Sequence, residues 1–173
     1  KERGTMKLLV VYAGKTGTTE KAAALLGKKL VMLNADVDVY DLCNDTPSPK
    51  GYDGVAVGGS IRMGMLHAKA KRFLVVNEEK LLPLPFGVFC CRCGTDDTRA
   101  LLAKSVPEKL LARAADAASF GGEMDINTLR GFDRFVAKMV SKSDSAGTFH
   151  SGGIQDARID AFAKALVSAA SHA

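Results

Sequence analysis

Apolar positions fall into short blocks separated by polar, glycine-bearing segments. Lys7 to Tyr12 is an apolar run that predicts a strand, and Ala13 to Thr19 is rich in glycine and threonine. Glu20 to Val31 then places Ala22, Ala23, Leu25, Leu26 and Leu30 at helical spacing, so the opening reads as strand, tight loop and helix. Asp36 to Tyr40 alternates polar and apolar residues as a strand does, and Asn44 to Gly51 carries turn residues including Pro47 and Pro49. Val55 to Gly58 predicts a third strand, Ala68 to Val76 a helix, and Phe86 to Cys91 a fourth strand. Pro107 to Ala118 predicts a helix with proline in its first turn, and Ala118 to Gly121 a short fifth strand. Two helices follow, at roughly Asn127 to Lys142 and Ile154 to Ala170, across a loop rich in serine and glycine.

Strands that alternate with helices and are apolar almost throughout imply a parallel sheet covered on both faces. The expected class is α/β, a three-layer, doubly wound domain with five strands. Its binding site is expected at the carboxyl ends of the strands, near the switch point of strand order. At 173 residues, 47% hydrophobic and 25% charged, the composition is that of one globular domain. The boundaries expected are 6–173 for that domain, with residues 1–5 as tag or linker residue, because Met6 opens the first apolar strand. The longest apolar stretch, Leu81 to Cys91, is broken by prolines and is shorter than the roughly 20 residues that span a bilayer.

Cys43 stands apart from Cys90, Cys91 and Cys93, and adjacent cysteines would bridge only under strain. No disulfide framework is expected, and a reducing cytoplasm follows as the compartment. A metal site at Cys90, Cys91 and Cys93 needs a fourth ligand and wider spacing, so thiols packed at a strand end are the favoured reading. No metal is expected. The net charge of +5 implies a surface that attracts anions: phosphates, carboxylated substrates, acidic proteins or anionic headgroups.

The chemistry concentrates in Gly14-Lys15-Thr16-Gly17-Thr18-Thr19, between the first strand and the first helix. Backbone N–H groups and the helix dipole converge there on one anion, with threonine hydroxyls beside them. A terminal phosphate suits such a loop better than a diphosphate. The Walker pattern would need glycine where Leu9 stands, and G-x-G-x-x-G is missing from the loop.

At these residues the chain resembles the flavodoxins, whose phosphate loop reads roughly [S/T]-x-T-G-x-T. Thr16, Gly17 and Thr19 match, and Gly14 stands at the first hydroxyl position. The resemblance implies a flavodoxin-like sheet of order 2-1-3-4-5 and FMN as cofactor. A second segment, Gly58-Gly59-Ser60-Ile61-Arg62-Met63-Gly64, lies where flavodoxins cover one face of the isoalloxazine. It is similar to a stretch of the menaquinone-dependent protoporphyrinogen dehydrogenases, as is Gly131-Phe132-Asp133-Arg134-Phe135 further on. Ser60, Ile61, Arg62, Met63 and Gly64 are therefore implied contacts of the ring. Cys91, Arg92 and Cys93, after the fourth strand, are implied contacts of its edge. The chain has no Trp, and Met63 stands where flavodoxins usually stack an aromatic residue.

Arg130, Arg134, Lys138 and Lys142 recur every four residues and form a basic stripe on the 130–142 helix. Such a helix is a solvated outer face, a peripheral contact with the inner face of a membrane, or a receiver of an acidic partner. His67 is either a surface histidine or a proton donor near the cofactor. His150 and His172 fall in a loop and at the terminus. Spacing reveals no Ser-His-Asp or paired-carboxylate set, so the catalytic residues are unassigned, as suits a protein whose cofactor carries the reaction.

Three functions fit: an FMN oxidoreductase that dehydrogenates a tetrapyrrole-like substrate and passes electrons to a quinone, an electron carrier serving a redox partner protein, and a flavodoxin-like binding module. Nucleic acid is not an expected partner.

Overall fold

Alternate residues of the first strand face opposite ways, and both sets are buried. Leu8, Val10 and Tyr12 enter one apolar cluster, while Leu9, Val11 and Ala13 enter another. A strand buried on both faces needs helices on both sides, and the computed structural model has that arrangement. It describes residues 4–92, 97–122 and 153–173.

The described elements are β1 (Lys7–Ala13), α1 (Thr18–Met32), β2 (Asp36–Asp41), β3 (Gly54–Arg62), β4 (Met65–Leu66), α2 (Ala68–Val76) and α3 (Glu78–Leu81). They continue with β5 (Phe86–Cys91), α4 (Thr98–Leu102), α5 (Glu108–Arg113), β6 (Asp116–Ser119) and α6 (Asp156–Ser171). Five strands pair in parallel in the order β2-β1-β3-β5-β6, and β4 returns antiparallel against the end of β3. With β4 set aside, this is the expected doubly wound order 2-1-3-4-5.

Helices α1 and α6 cover one face, where Leu26, Leu30, Phe162 and Leu166 pack on Leu8, Val10 and Phe89. The other face is covered from α2 to α5 by Phe73, Leu81, Leu102 and Leu110. Phe89 and Phe120 stack with centroids 4.6 Å apart, and Phe162 meets both edge-on at 5.8 and 5.2 Å. Aromatic rings favour offset and edge-to-face contacts, so the trio locks α6 to the sheet. Arg158 reinforces the dock by donating two hydrogen bonds to the Asp116 carboxylate at 2.6 and 2.7 Å.

The structure departs from the sequence reading in three ways. The third strand runs on to Arg62, so Gly59 to Arg62 is strand and not loop, and the turn is confined to Met63 and Gly64. The helix expected to reach Ala118 ends at Arg113, and the fifth strand begins at Asp116. Alanines at 114, 115, 117 and 118 suit either element, and burial of Ala118 against Phe89 and Phe120 decides for strand. Helices α3 and α4 are single turns too short to show a period. The helix expected at 127–142 and its basic stripe, the Phe-Asp-Arg-Phe segment, Cys93 and His150 lie outside the described residues.

Phe162→Ala is expected to lower stability by about 3–5 kcal/mol, since its ring is fully buried. Urea unfolding followed by far-UV circular dichroism measures this; a change below about 1 kcal/mol contradicts the dock described for α6.

Candidate functional site

Because all five long strands run in parallel, their carboxyl ends share one edge. Along it, Ala13 pairs with Gly59, Gly59 with Cys90, and Ser60 with Cys91. This register brings together the three segments singled out in the sequence: the β1–α1 loop, the β3–β4 hairpin and the end of β5.

The β1–α1 loop is shaped by two glycines. Gly17, at φ 84°, is the residue preceding α1, and its carbonyl accepts the first helical bond from Lys21 N–H at 3.0 Å. Left-handed backbone of this kind costs a non-glycine residue about 1–2 kcal/mol. No side chain caps this end of α1, although serine, threonine or aspartate commonly does so elsewhere. Gly14 lies against Thr19: a Cβ on Gly14 would stand 2.8 Å from both Cβ and Oγ1 of Thr19. A serine or threonine at position 14 would therefore collide with the first helical turn. Thr18 and Thr19 are buried, whereas Lys15 and Thr16 are exposed. The Thr19 and Cys91 side chains are hydrogen-bonded, which ties the loop to the end of β5.

Burial pushes the Cys91 thiol up to about 12, with Cys90 adding to the shift and the Thr19 bond opposing it. Burial likewise raises Cys90 to about 11, against the pull of Arg92 and Ser119. Both are neutral thiols at neutral pH. Among the described residues no group of three or more His, Cys, Asp or Glu side chains is placed to hold a metal ion.

In the hairpin, Arg62 pairs with Met65, and the turn residues Met63 and Gly64 have φ of 49° and 75°. Positive φ at both central positions suits a tight two-residue connection. Met63 is 91% exposed at the tip. The Ser60 carbonyl accepts from His67 N–H at 2.9 Å, and Leu66 N–H donates to the buried Ser105 hydroxyl at 3.0 Å, so the hairpin is braced from below. On the other side, Arg92 N–H donates to the Gly121 carbonyl at 3.1 Å.

His67 caps α2: its Nδ1 accepts from Lys69 N–H at 3.2 Å. Partial burial lowers its pKa, and Lys15, Lys69 and Arg62 lower it further against the opposing Asp41. Protonation of Nδ1 would also break the cap. The neutral ring therefore keeps its proton on Nε2.

The flavodoxin domain family matches residues 9–151, most of the chain. The chain belongs to that family. No curated protein matches it by sequence. Among solved structures, this flavodoxin domain is similar to a short-chain flavodoxin associated with a PDU bacterial microcompartment, with a TM-score of 0.64 and 18% identity, covering 96% of this chain and 99% of that one. Flavodoxin 2 from Bacillus cereus is similar at a TM-score of 0.59 and 19% identity, over 94% and 98% of the two chains. The flavodiiron core Flv1 from Synechocystis is similar at 0.61 and 12% identity, where 95% of this chain covers 37% of that one.

Membership in the flavodoxin domain family implies FMN as the cofactor. The loop fits a phosphate on its own evidence: a helix start with no side-chain cap bond from its N-cap residue, a left-handed glycine at that position, and a glycine at 14 that lets Thr19 and the helix start pack close to the end of β1. Of the residues expected from sequence, Gly14 to Thr19, Ser60 to Gly64, and Cys91 with Arg92 share the carboxyl edge; Cys93 lies outside the described residues. Sequence reasoning did not single out Lys69. Its signal was its place two residues after a histidine that caps a helix.

The lowered pKa of His67 gives a pH dependence. As pH falls below the ordinary value of 6.5, the unfolded chain takes up the proton first, so native stability declines until the folded pKa is passed. His67→Asn keeps a side-chain acceptor for the cap and removes the titration. The variant is expected to lose less stability than the parent between pH 6.5 and 5 in urea unfolding; parallel curves would contradict this reading.

Proposed function

We propose that this flavodoxin domain, taken as one unit over 6–173, is an FMN-dependent electron-transfer protein whose phosphate site is the Gly14–Thr19 loop. The observation that carries the reading is the start of α1, where the N-cap residue is a left-handed Gly17 that makes no side-chain cap hydrogen bond. Backbone N–H groups there, with the exposed Thr16 hydroxyl and Lys15, would take the phosphate oxygens. The hairpin from Ser60 to Gly64 would flank one face of the ring, with the Met63 side chain at its exposed tip, and Cys91 and Arg92 would lie along the ring's edge. When bound, FMN supplies the acceptance and release of electrons in one- or two-electron steps. The chain's own task is to hold the ring at the sheet edge, where the buried Cys90 and Cys91 exclude water from beneath it.

A second reading has one observation in its favour. Lys15, Arg62 and Lys69 gather around His67 beside the loop, a setting for a carboxylated substrate such as a protoporphyrinogen, with a quinone as acceptor. Turnover of protoporphyrinogen with a soluble quinone, above the rate of free FMN, supports it; turnover no faster than free FMN leaves the electron carrier. Among the described residues no helix is long and apolar enough to cross a membrane.

Thr16→Ala is expected to weaken FMN binding about tenfold, the loss of one hydrogen bond to a charged group. Thr19→Ala acts differently, because its buried side chain also packs on Gly14 and bonds Cys91, so it should lower stability as well as affinity. Quenching of FMN fluorescence on titration reads the affinity. Unchanged affinity in the double variant would overturn the phosphate placement.

A further inference from the structure

The hairpin beside the proposed cofactor site carries an unusual distribution of charge. From Gly54 to Asn77 the chain contains no Asp or Glu, yet it holds Arg62, Lys69, Lys71 and Arg72. Met63 projects at the tip, 91% exposed, and Met65 beyond it is also exposed. Lys104, from the far side, brings its Nζ within 3.9 Å of the point where a Cβ on Gly64 would stand. Lys15, Arg62 and Lys69 all lie within electrostatic range of His67 and lower its pKa. The acid facing the same ring is Asp41, whose carboxylate already accepts from Cys43 N–H and the Asn44 amide at 2.9 and 3.0 Å.

A protruding apolar side chain inside a cationic rim has the anatomy of a transient protein interface. Methionine is enriched at such centres, and rim charges steer the encounter more than they tighten it. A lipid surface fits less well, since the hairpin from Ser60 to His67 has no Trp, Tyr or Phe to seat at headgroup level.

We propose that the tip of the β3–β4 hairpin docks an acidic electron-transfer protein, with Met63 as the apolar anchor and Lys69 and Lys104 as the basic rim. The purpose assigned to the contact rests on the FMN reading, because docking there brings a partner's redox centre to the same sheet edge. The contact itself does not need the cofactor. Exposed charges attract over about 10 Å at 0.1 M salt, so the encounter is expected to be fast at low ionic strength and to weaken as salt rises.

The test uses a plant-type [2Fe–2S] ferredoxin as the acidic probe, titrated by calorimetry against the full chain with and without added FMN. Binding is expected in both forms, weakening about tenfold between 50 and 200 mM salt. Lys69→Glu with Lys104→Glu is expected to weaken it by a further factor of about ten in the FMN-free and the FMN-loaded chain alike. The neutral pair Lys69→Gln and Lys104→Gln should fall between, and it serves if charge reversal impairs folding. Equal affinity in the reversed variant, equal binding of basic cytochrome c, or preferential capture by phosphatidylserine vesicles over ferredoxin would each overturn the proposal. A chain that binds ferredoxin but retains no FMN would refute the cofactor reading and leave the docking surface standing.

Discussion

A sheet whose strands all run in parallel and are buried on both faces has little freedom in where it places polar chemistry. Leu8 to Ala13, Val55 to Val57 and Phe86 to Cys91 are apolar on alternate and intervening positions alike, so neither face is available to a ligand. Helices α1 and α6 seal one side, and α2 to α5 seal the other. What remains is the edge where the strands end. The register that pairs Ala13 with Gly59 and Ser60 with Cys91 then fixes which loops meet there. Burial of the sheet is thus the constraint on which the site depends.

At that edge, small residues decide what approaches. Thr19 occupies the space that a side chain at 14 would need, and Gly17 turns the chain into α1 through a conformation that other residues adopt at a cost. The missing hydroxyl at 14 is therefore a packing solution: the helix start is drawn close to the end of β1, and its N-cap residue, Gly17, makes no side-chain cap bond. The bond between Thr19 and Cys91 extends the same packing across to β5. Charge is arranged around this neutral centre, with buried thiols beneath and lysines and arginine at the rim.

Much of the fold was legible because its strands are continuous apolar blocks and its long helices have a clear period. Ala68–Val76 and Phe86–Cys91 match the sequence reading at both ends. The failures have physical causes. Gly59 and Ser60 look like a turn, yet pairing holds them in β3, Gly59 with Ala13 and Cys90 and Ser60 with Cys91; Phe89, seated against Gly58, leaves no room for a side chain there. The alanines after Arg113 suit helix and strand equally, and tertiary burial chose. Of the candidate site, the loop was legible from its glycines and threonines. The proximity of Lys15 and Arg62 to His67 was not, because it depends on how the strands align their carboxyl ends and on how β4 folds back along β3.

The central claim is that the β1–α1 loop is a phosphate site, and the most direct measurement compares FMN with riboflavin, which differ only in that phosphate. Both are titrated into the purified protein while flavin fluorescence is followed. FMN is expected to bind about 100-fold more tightly or better, since several charge-assisted hydrogen bonds at a helix N-terminus depend on the phosphate. Equal affinity for the two flavins would contradict it.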